Sequence, residues 1–270
     1  MREMEAAASS ESATAPNDAP VLMGRVGPSP GLPSAGSTRS EIEIEPAVAA
    51  QIFGSRIDLA RRYVEALATD GVIRGLIGPR EAGRLWTRHV LNCAVVGEVL
   101  SVGTQVVDIG SGAGLPGIPL AIARMDCSFI LVEPLERRAT FLEAMIADLG
   151  LSNCRVIRGR ADQVNGDCGN ADVVTSRAVA PLATLALWSA PLLRVGGKLR
   201  ALKGSSAREE IERDQAAAEM VGLRDFEVIS VGVGLVDPPT LIVTARKVPS
   251  PTRGARKGQP SRGRSVRRDV

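Results

Sequence analysis

The run Asp108-Ile-Gly-Ser-Gly-Ala-Gly-Leu-Pro-Gly117 places glycines at 110, 112 and 114 directly behind the apolar segment Gln105–Ile109. Glycine lets a backbone approach a ligand closely and adopt angles that a side chain forbids. In open α/β sheets, ligands bind at the carboxyl ends of the strands, where this turn should lie. Gly112, Gly114 and Gly117 also satisfy GxGxxG, so a dinucleotide is one reading. Under either reading Glu133, which ends the next apolar run, is placed to accept hydrogen bonds from ribose hydroxyls. Three features favour S-adenosylmethionine (SAM). Asp108 immediately precedes the turn, where a carboxylate can pair, directly or through water, with an ammonium group. Asp162 follows the third apolar run, where an adenine amino group could be met. The last two β-rich runs follow one another without a helix, so a second nucleotide-binding half is missing.

These residues need a frame of strands and helices. Gln105–Ile109, Ser128–Glu133, Cys154–Arg158, Ala171–Ser176 and Lys198–Leu202 read as five successive strands. Helices are expected around Leu120–Arg124, with Pro116 and Pro119 tolerated in a first turn, and over Leu135–Leu149, closed by Gly150 as a left-handed cap. Others are expected over Leu182–Leu193, ending before Gly196-Gly197, and over Ala207–Val221. Phe226–Val233 and Thr240–Ala245 follow, joined by a loop with Asp237-Pro-Pro-Thr240. The alternation predicts an α/β fold, a Rossmann-like, mostly parallel seven-stranded sheet with an antiparallel terminal hairpin. Enzymes that methylate exocyclic amines carry an Asp-Pro-Pro-aromatic turn after the fourth strand. Here Ser176-Arg-Ala-Val179 holds that place, and the Pro-Pro run reads as a rigid turn. Apolar residues at helical spacing over Ala47–Leu67 and Ala82–Leu100 predict helices packed before the main domain.

The expected organisation is a disordered extension over 1–40, a helical segment over 41–103, a SAM-binding domain over 104–248 and a disordered basic tail over 249–270. Of the 270 residues 44% are hydrophobic, enough for a core, yet aromatics are only 3%, so that core must rest on Ala, Val, Leu and Ile. The net charge of +3 is unevenly spread. Residues 1–45 hold three basic against seven acidic side chains, whereas residues 246–270 hold nine basic side chains against Asp269. Such a tail suits nonspecific attraction to RNA. No apolar run reaches the roughly 18 residues of a membrane span, and the N-terminus does not read as a secretory signal. Four cysteines without CxxC spacing and a single histidine argue against a metal site and for a cytoplasmic protein with buried, reduced thiols.

Taken together, Arg88-His-Val-Leu-Asn92, Asp108–Leu120, Glu133, Gly159-Arg-Ala-Asp162, Ser176-Arg-Ala-Val-Ala180 and Ala201-Leu-Lys-Gly204 resemble the RsmG family. This family, also called glucose-inhibited division protein B, comprises small-subunit ribosomal RNA (guanine-N7)-methyltransferases. The resemblance spans residues 88 to 204, and the strand order continues to about 246. It implies a SAM pocket formed by Gly110, Leu115, Ala161, Asp162 and Arg177, with Glu133 at the ribose and Asp108 and Gly112 in the turn. It further implies a bacterial cytoplasmic enzyme acting on a guanine in the decoding region, the 530 loop, of 16S rRNA, with the rRNA or the small ribosomal subunit as its partner. The family usually carries a Trp-Asn…Asn-Leu-Thr segment where this chain reads Ala68–Ile77, so the N-terminal contacts differ from the pattern.

Guanine N7 carries a lone pair and no proton, so the implied reaction requires no base. Alignment of N7 with the methyl–sulfur bond and exclusion of water should dominate instead. Arg177, expected at the end of the fourth strand, could hold RNA or line the cofactor pocket, or form a plain salt bridge. Lys203 ends the fifth strand, where it could meet an RNA phosphate or simply solvent. His89 has two readings, contact with RNA or cofactor and a helix-packing role.

Overall fold

A computed structural model describes residues 42–249; the N-terminal extension and the basic tail lie outside the described residues. Seven strands form one sheet: β1 (Gln105–Ile109), β2 (Ser128–Glu133), β3 (Cys154–Arg158), β4 (Ala171–Arg177), β5 (Leu193–Lys203), β6 (Leu223–Val231) and β7 (Thr240–Lys247). Their order is β3-β2-β1-β4-β5-β7-β6. The first five pair in parallel, and β7 inserts antiparallel between β5 and β6. The chain reverses between β1 and β4, and that switch point opens a crevice at the carboxyl ends of the strands.

Period-two alternation divides the apolar residues between two cores. Val106, Phe129, Leu131, Val173 and Ile242 point to one face and pack with the N-terminal segment, including Ala49, Phe53, Tyr63 and Leu67. Val107, Ile130, Val132, Val174, Leu199 and Val243 point to the other, where Leu182, Leu185, Ala207 and Ala218 cover them. Both faces are therefore apolar in β1, β2 and β4, as a buried parallel sheet requires.

The helices follow the sequence most closely where caps are strong. The helix α5 (Glu136–Leu149) ends at Gly150, whose φ of 64° makes the left-handed cap. The earlier α4 (Gly117–Ala123) starts behind Pro116 and keeps Pro119 in its first turn, where a missing N–H costs nothing. Three differences are instructive. The segment expected as two continuous helices is broken into pieces: α1 (Val48–Phe53), a 3-10 turn at Gly54–Arg56, α2 (Ile57–Ala66) and a π turn at Leu67–Gly71. It resumes with a 3-10 turn at Pro79–Arg84, a π turn over Leu85–Leu91, α3 (Asn92–Ala94) and a 3-10 turn at Val95–Val99. Apolar spacing does not report such changes of pitch, since most of the pieces, all but the 3-10 turn at Gly54–Arg56, still carry buried residues. A short α6 (Asn165–Cys168) was not expected. Finally, α7 (Leu182–Ser189) is shorter and β5 longer than the Gly196-Gly197 pair suggests. Gly197 lies so close to the β4 backbone that a Cβ there would meet the Ala171 carbonyl oxygen at 2.8 Å, so the glycine permits pairing instead of ending it. The charged helix α8 (Ala207–Met220) closes the second face as expected. No helix of the described residues is long and apolar enough to cross a membrane.

One glycine of the turn serves packing. A Cβ on Gly117 would run into Leu131 and approach Asp108 Oδ2 to 2.9 Å. Gly117→Ala is expected to push α4 off β2 and destabilise the protein by about 1–3 kcal/mol, the usual cost of overpacking. Urea unfolding measures it, and an unchanged midpoint would show that α4 has room to shift.

Candidate cofactor site

The glycine turn leaves β1 at Gly110, and its backbone donors are taken up one by one. The Gly110 N–H donates to Val132 O at 2.8 Å and the Gly114 N–H to Ser111 O at 2.7 Å. Glu133, 1% exposed at the end of β2, accepts the Gly112 N–H on Oε2 at 3.0 Å and the Leu135 N–H on Oε1 at 3.0 Å. A single carboxylate thus ties the turn after β1 to the loop after β2, and each oxygen keeps a further lone pair. Gly112 has φ of 58°, and a Cβ built on it would meet only the Gly110 carbonyl oxygen, at 3.8 Å. The backbone there faces open space that a side chain would fill. This bare strip beside a buried carboxylate fits a nucleoside lying across the turn.

Asp108 lies beneath the turn, 1% exposed. Its Oδ2 accepts the Gly117 N–H at 3.1 Å, while Oδ1 is buried without a hydrogen-bond partner among the described residues. Burial, which disfavours the charged form, pushes its pKa up to about 7; Ser111 and Gly117 oppose that, and the nearby Glu133 charge adds to it. The orphan oxygen is the acceptor left for a ligand or an ordered water. From the opposite side Tyr63 of α2, fully buried, donates its hydroxyl to Ala113 O at 2.9 Å. Composition gave one hint of this role: Tyr63 is the only tyrosine in the chain.

Arg177, half-buried at the end of β4, forms no salt bridge to a carboxylate among the described residues; its nearest partner is an imidazole. Its Nη2 lies 2.8 Å from His89 Nδ1, and Nη1 is directed at His89 O (3.4 Å) and Cys93 Sγ (3.3 Å). His89 Nε2 lies 2.7 Å from Glu81 Oε2. A guanidinium can only donate, so Nδ1 must accept, and the ring proton sits on Nε2, donated to Glu81. Burial and the Arg177 charge both lower the His89 pKa, which keeps this neutral form. His89 therefore packs in the π turn of the N-terminal segment and orients Arg177. Glu81 and Cys93 had no sequence signal, because nothing in their spacing ties them to β4. Beyond Arg177 the backbone turns left-handed at Ala178 (φ 53°), a costly conformation for a residue with a Cβ. That turn sets Val179 against Gly110, where a Cβ would come within 2.9 Å of it.

The remaining positions divide. Leu115 and Ala161 are buried beside the crevice at 8% and 9% exposure. Asp162 is exposed, with Oδ1 3.2 Å from Arg160 Nε. Lys203 is directed inward, donating to Ala180 O at 3.0 Å and pairing with Glu210 Oε1 at 2.9 Å, which ties β5 to α8. The Asp237-Pro-Pro turn lies at the carboxyl end of the sheet but between β6 and β7, which stand three and two strands from β4. Thr240 behind it donates to Asn92 O at 3.0 Å. All four cysteines are buried and unpaired.

A parallel five-strand sheet with β7 inserted antiparallel, and a glycine turn after β1 clasped by the acid that ends β2, define a class I, Rossmann-like SAM-dependent methyltransferase. Within that class, the family model described as GidB, rRNA small subunit methyltransferase G, matches residues 56–235, and the chain belongs to this family. Ribosomal RNA small subunit methyltransferase G of Rhodococcus jostii is 56% identical over 207 residues, covering 76% of this chain and 91% of that protein. The protein of the same name from Corynebacterium efficiens is 52% identical over 223 residues, with coverages of 82% and 96%. That from Mycolicibacterium gilvum is 49% identical over 225 residues, with coverages of 83% and 99%.

The raised pKa of Asp108 has a sign that can be tested. Between about pH 4, where the unfolded carboxyl titrates, and about pH 7, where the folded one does, only the folded state holds the proton. Stability from this group is complete below that window and is lost as pH rises through it, by up to about 1.4 kcal/mol per pH unit. Asp108→Asn keeps an acceptor for the Gly117 N–H and does not titrate. Unfolding free energies of wild type should fall relative to the variant from pH 5 to pH 8; parallel curves would mean that Asp108 is ionised throughout.

Proposed function

We propose that the protein transfers the methyl group of SAM to N7 of a guanine in the 530 loop of bacterial 16S rRNA, in the cytoplasm, with the rRNA or the small ribosomal subunit as substrate. The observation that carries this reading is the open backbone at Gly112 beside the buried, doubly bonded Glu133 carboxylate. It is supported by membership of a family whose members are named for methylating small-subunit ribosomal RNA.

When bound, SAM supplies an electrophilic methyl on a sulfonium. The residues of this chain bind and orient it. Glu133 offers its free lone pairs to the ribose hydroxyls, and Gly110 and Gly112 present backbone without side chains. Leu115 and Ala161 supply apolar walls that exclude water, and Asp162 is placed for the adenine edge. N7 attacks with its own lone pair, so no proton has to be removed and alignment supplies the rate. Three of the five Arg177 donors are directed at His89 and Cys93. The two that remain are held on a fixed guanidinium, suited to cofactor or RNA.

Incubation with tritiated SAM and small subunits from a strain lacking the modification should place label in 16S rRNA as 7-methylguanine. Label confined to small molecules, or to another atom of the RNA, would contradict the proposal. In the same assay Gly112→Val should give no label and no heat of SAM binding, because its side chain occupies the open strip.

A further inference from the structure

At the end of the sheet opposite the glycine turn lies a second concavity of about 320 Å3, framed by Gly103 and Thr104 before β1, Val173 of β4 and the first half of β5. Three cations line it: Arg194, Lys198 and Arg200. Arg194 is already neutralised, with Nε 2.6 Å from Asp172 Oδ1, and the other oxygen of Asp172 accepts the Gln105 N–H at 2.8 Å. Arg246, opposite Lys198 on β7, is paired with Asp225 at 2.6 Å. Arg200 has no such partner. It is 8% exposed, and its Nε is buried without a hydrogen bond among the described residues. Burial lowers its pKa, and Glu227 of β6 acts on it through space, without a direct ion pair. Lys198, two residues earlier and so on the same face of β5, stands exposed at the rim.

A buried guanidinium cannot shed its proton, and leaving it unpaired is costly. Its planar fork matches two oxygens of a phosphate. We propose that this concavity is a phosphate seat, with Arg200 at its back and Lys198 at its rim holding one phosphate group. Free inorganic phosphate and an RNA backbone phosphate present the same chemistry. The length of β1, roughly 15 Å at about 3.3 Å per residue, separates the seat from the glycine turn. An RNA phosphate held there would anchor a part of the substrate distant from the methylated base, and this form rests on the ribosomal RNA reading above.

Two measurements on the full chain test it. In the first, thermal unfolding is followed with inorganic phosphate and with sodium chloride at matched ionic strength. Wild type should gain stability from phosphate beyond the chloride effect, and Arg200→Met should not. Replacing an unpaired buried charge by an apolar side chain is neutral or stabilising, so the variant is expected to fold; Lys198→Met at the exposed rim provides the second variant. In the other, binding to a 16S rRNA fragment is measured over a salt series. Loss of one phosphate contact lowers the slope of log K against log salt by about 0.7–0.9 and leaves SAM affinity unchanged. A phosphate response alone assigns free phosphate as the ligand, and a changed slope assigns the RNA backbone. The phosphate arm still reads the seat if rRNA is not the substrate. Wild-type behaviour of both variants in both arms overturns the proposal.

Discussion

A binding turn made of bare backbone has to be held by groups that lie outside it, and this requirement governs the architecture. Gly112 leaves its backbone open, and Gly110 and Gly114 let Val179, Ile118 and Tyr63 pack closely, but none of the three brings a side chain to satisfy or stiffen the turn. The burden falls on two carboxylates and a phenol. Glu133 accepts one N–H from the turn and one from the next loop, Asp108 accepts the first N–H of α4 from below, and Tyr63 caps the Ala113 carbonyl. Each of the three is almost wholly buried. Buried carboxylates are tolerated when their hydrogen bonds are made. Glu133 meets that condition on both oxygens, whereas Asp108 meets it on one and leaves Oδ1 unpartnered among the described residues; burial, with the nearby Glu133 charge, raises its pKa.

The same requirement explains why a helical segment precedes the sheet. Tyr63 and His89 both come from it, and they fix the two sides of the crevice: the turn after β1 and Arg177 at the end of β4. His89 stands between a carboxylate that accepts its Nε2–H and a guanidinium that donates to its Nδ1 lone pair, so its tautomer is determined by its neighbours. The wide turn over Leu85–Leu91 carries His89 at this point, in keeping with the tendency of π turns to occur at functional sites.

Most of the strand frame was legible in the sequence because it depends on local signals. Apolar runs bounded by glycine, and helix ends marked by Pro116 and Gly150, encode the order and type of elements without reference to distant residues. The positions of Glu133 and the turn glycines were legible for the same reason, since they sit at strand ends. Contacts between segments far apart in the chain were not. Tyr63 meets Ala113 across 50 residues and Arg177 meets His89 across 88, and no periodicity reports such a meeting. Lys203 shows the converse: a strand-end position suggests an outward cation, but Glu210 on α8 turns it inward. The pitch changes in the N-terminal segment were hidden because 3-10, α and π turns keep similar apolar spacing over a few residues.

If Glu133 is the clasp of the cofactor turn, the most direct measurement is calorimetric titration of SAM into Glu133→Gln. Glutamine keeps the length of the side chain but loses the charge and sets an N–H2 group against one of the two backbone donors. A charge-assisted contact of this kind is worth about 1.5–3 kcal/mol. The variant should fold, and its affinity for SAM should fall by at least about tenfold. A dissociation constant equal to that of wild type would mean that the turn holds its shape and its ligand without this carboxylate.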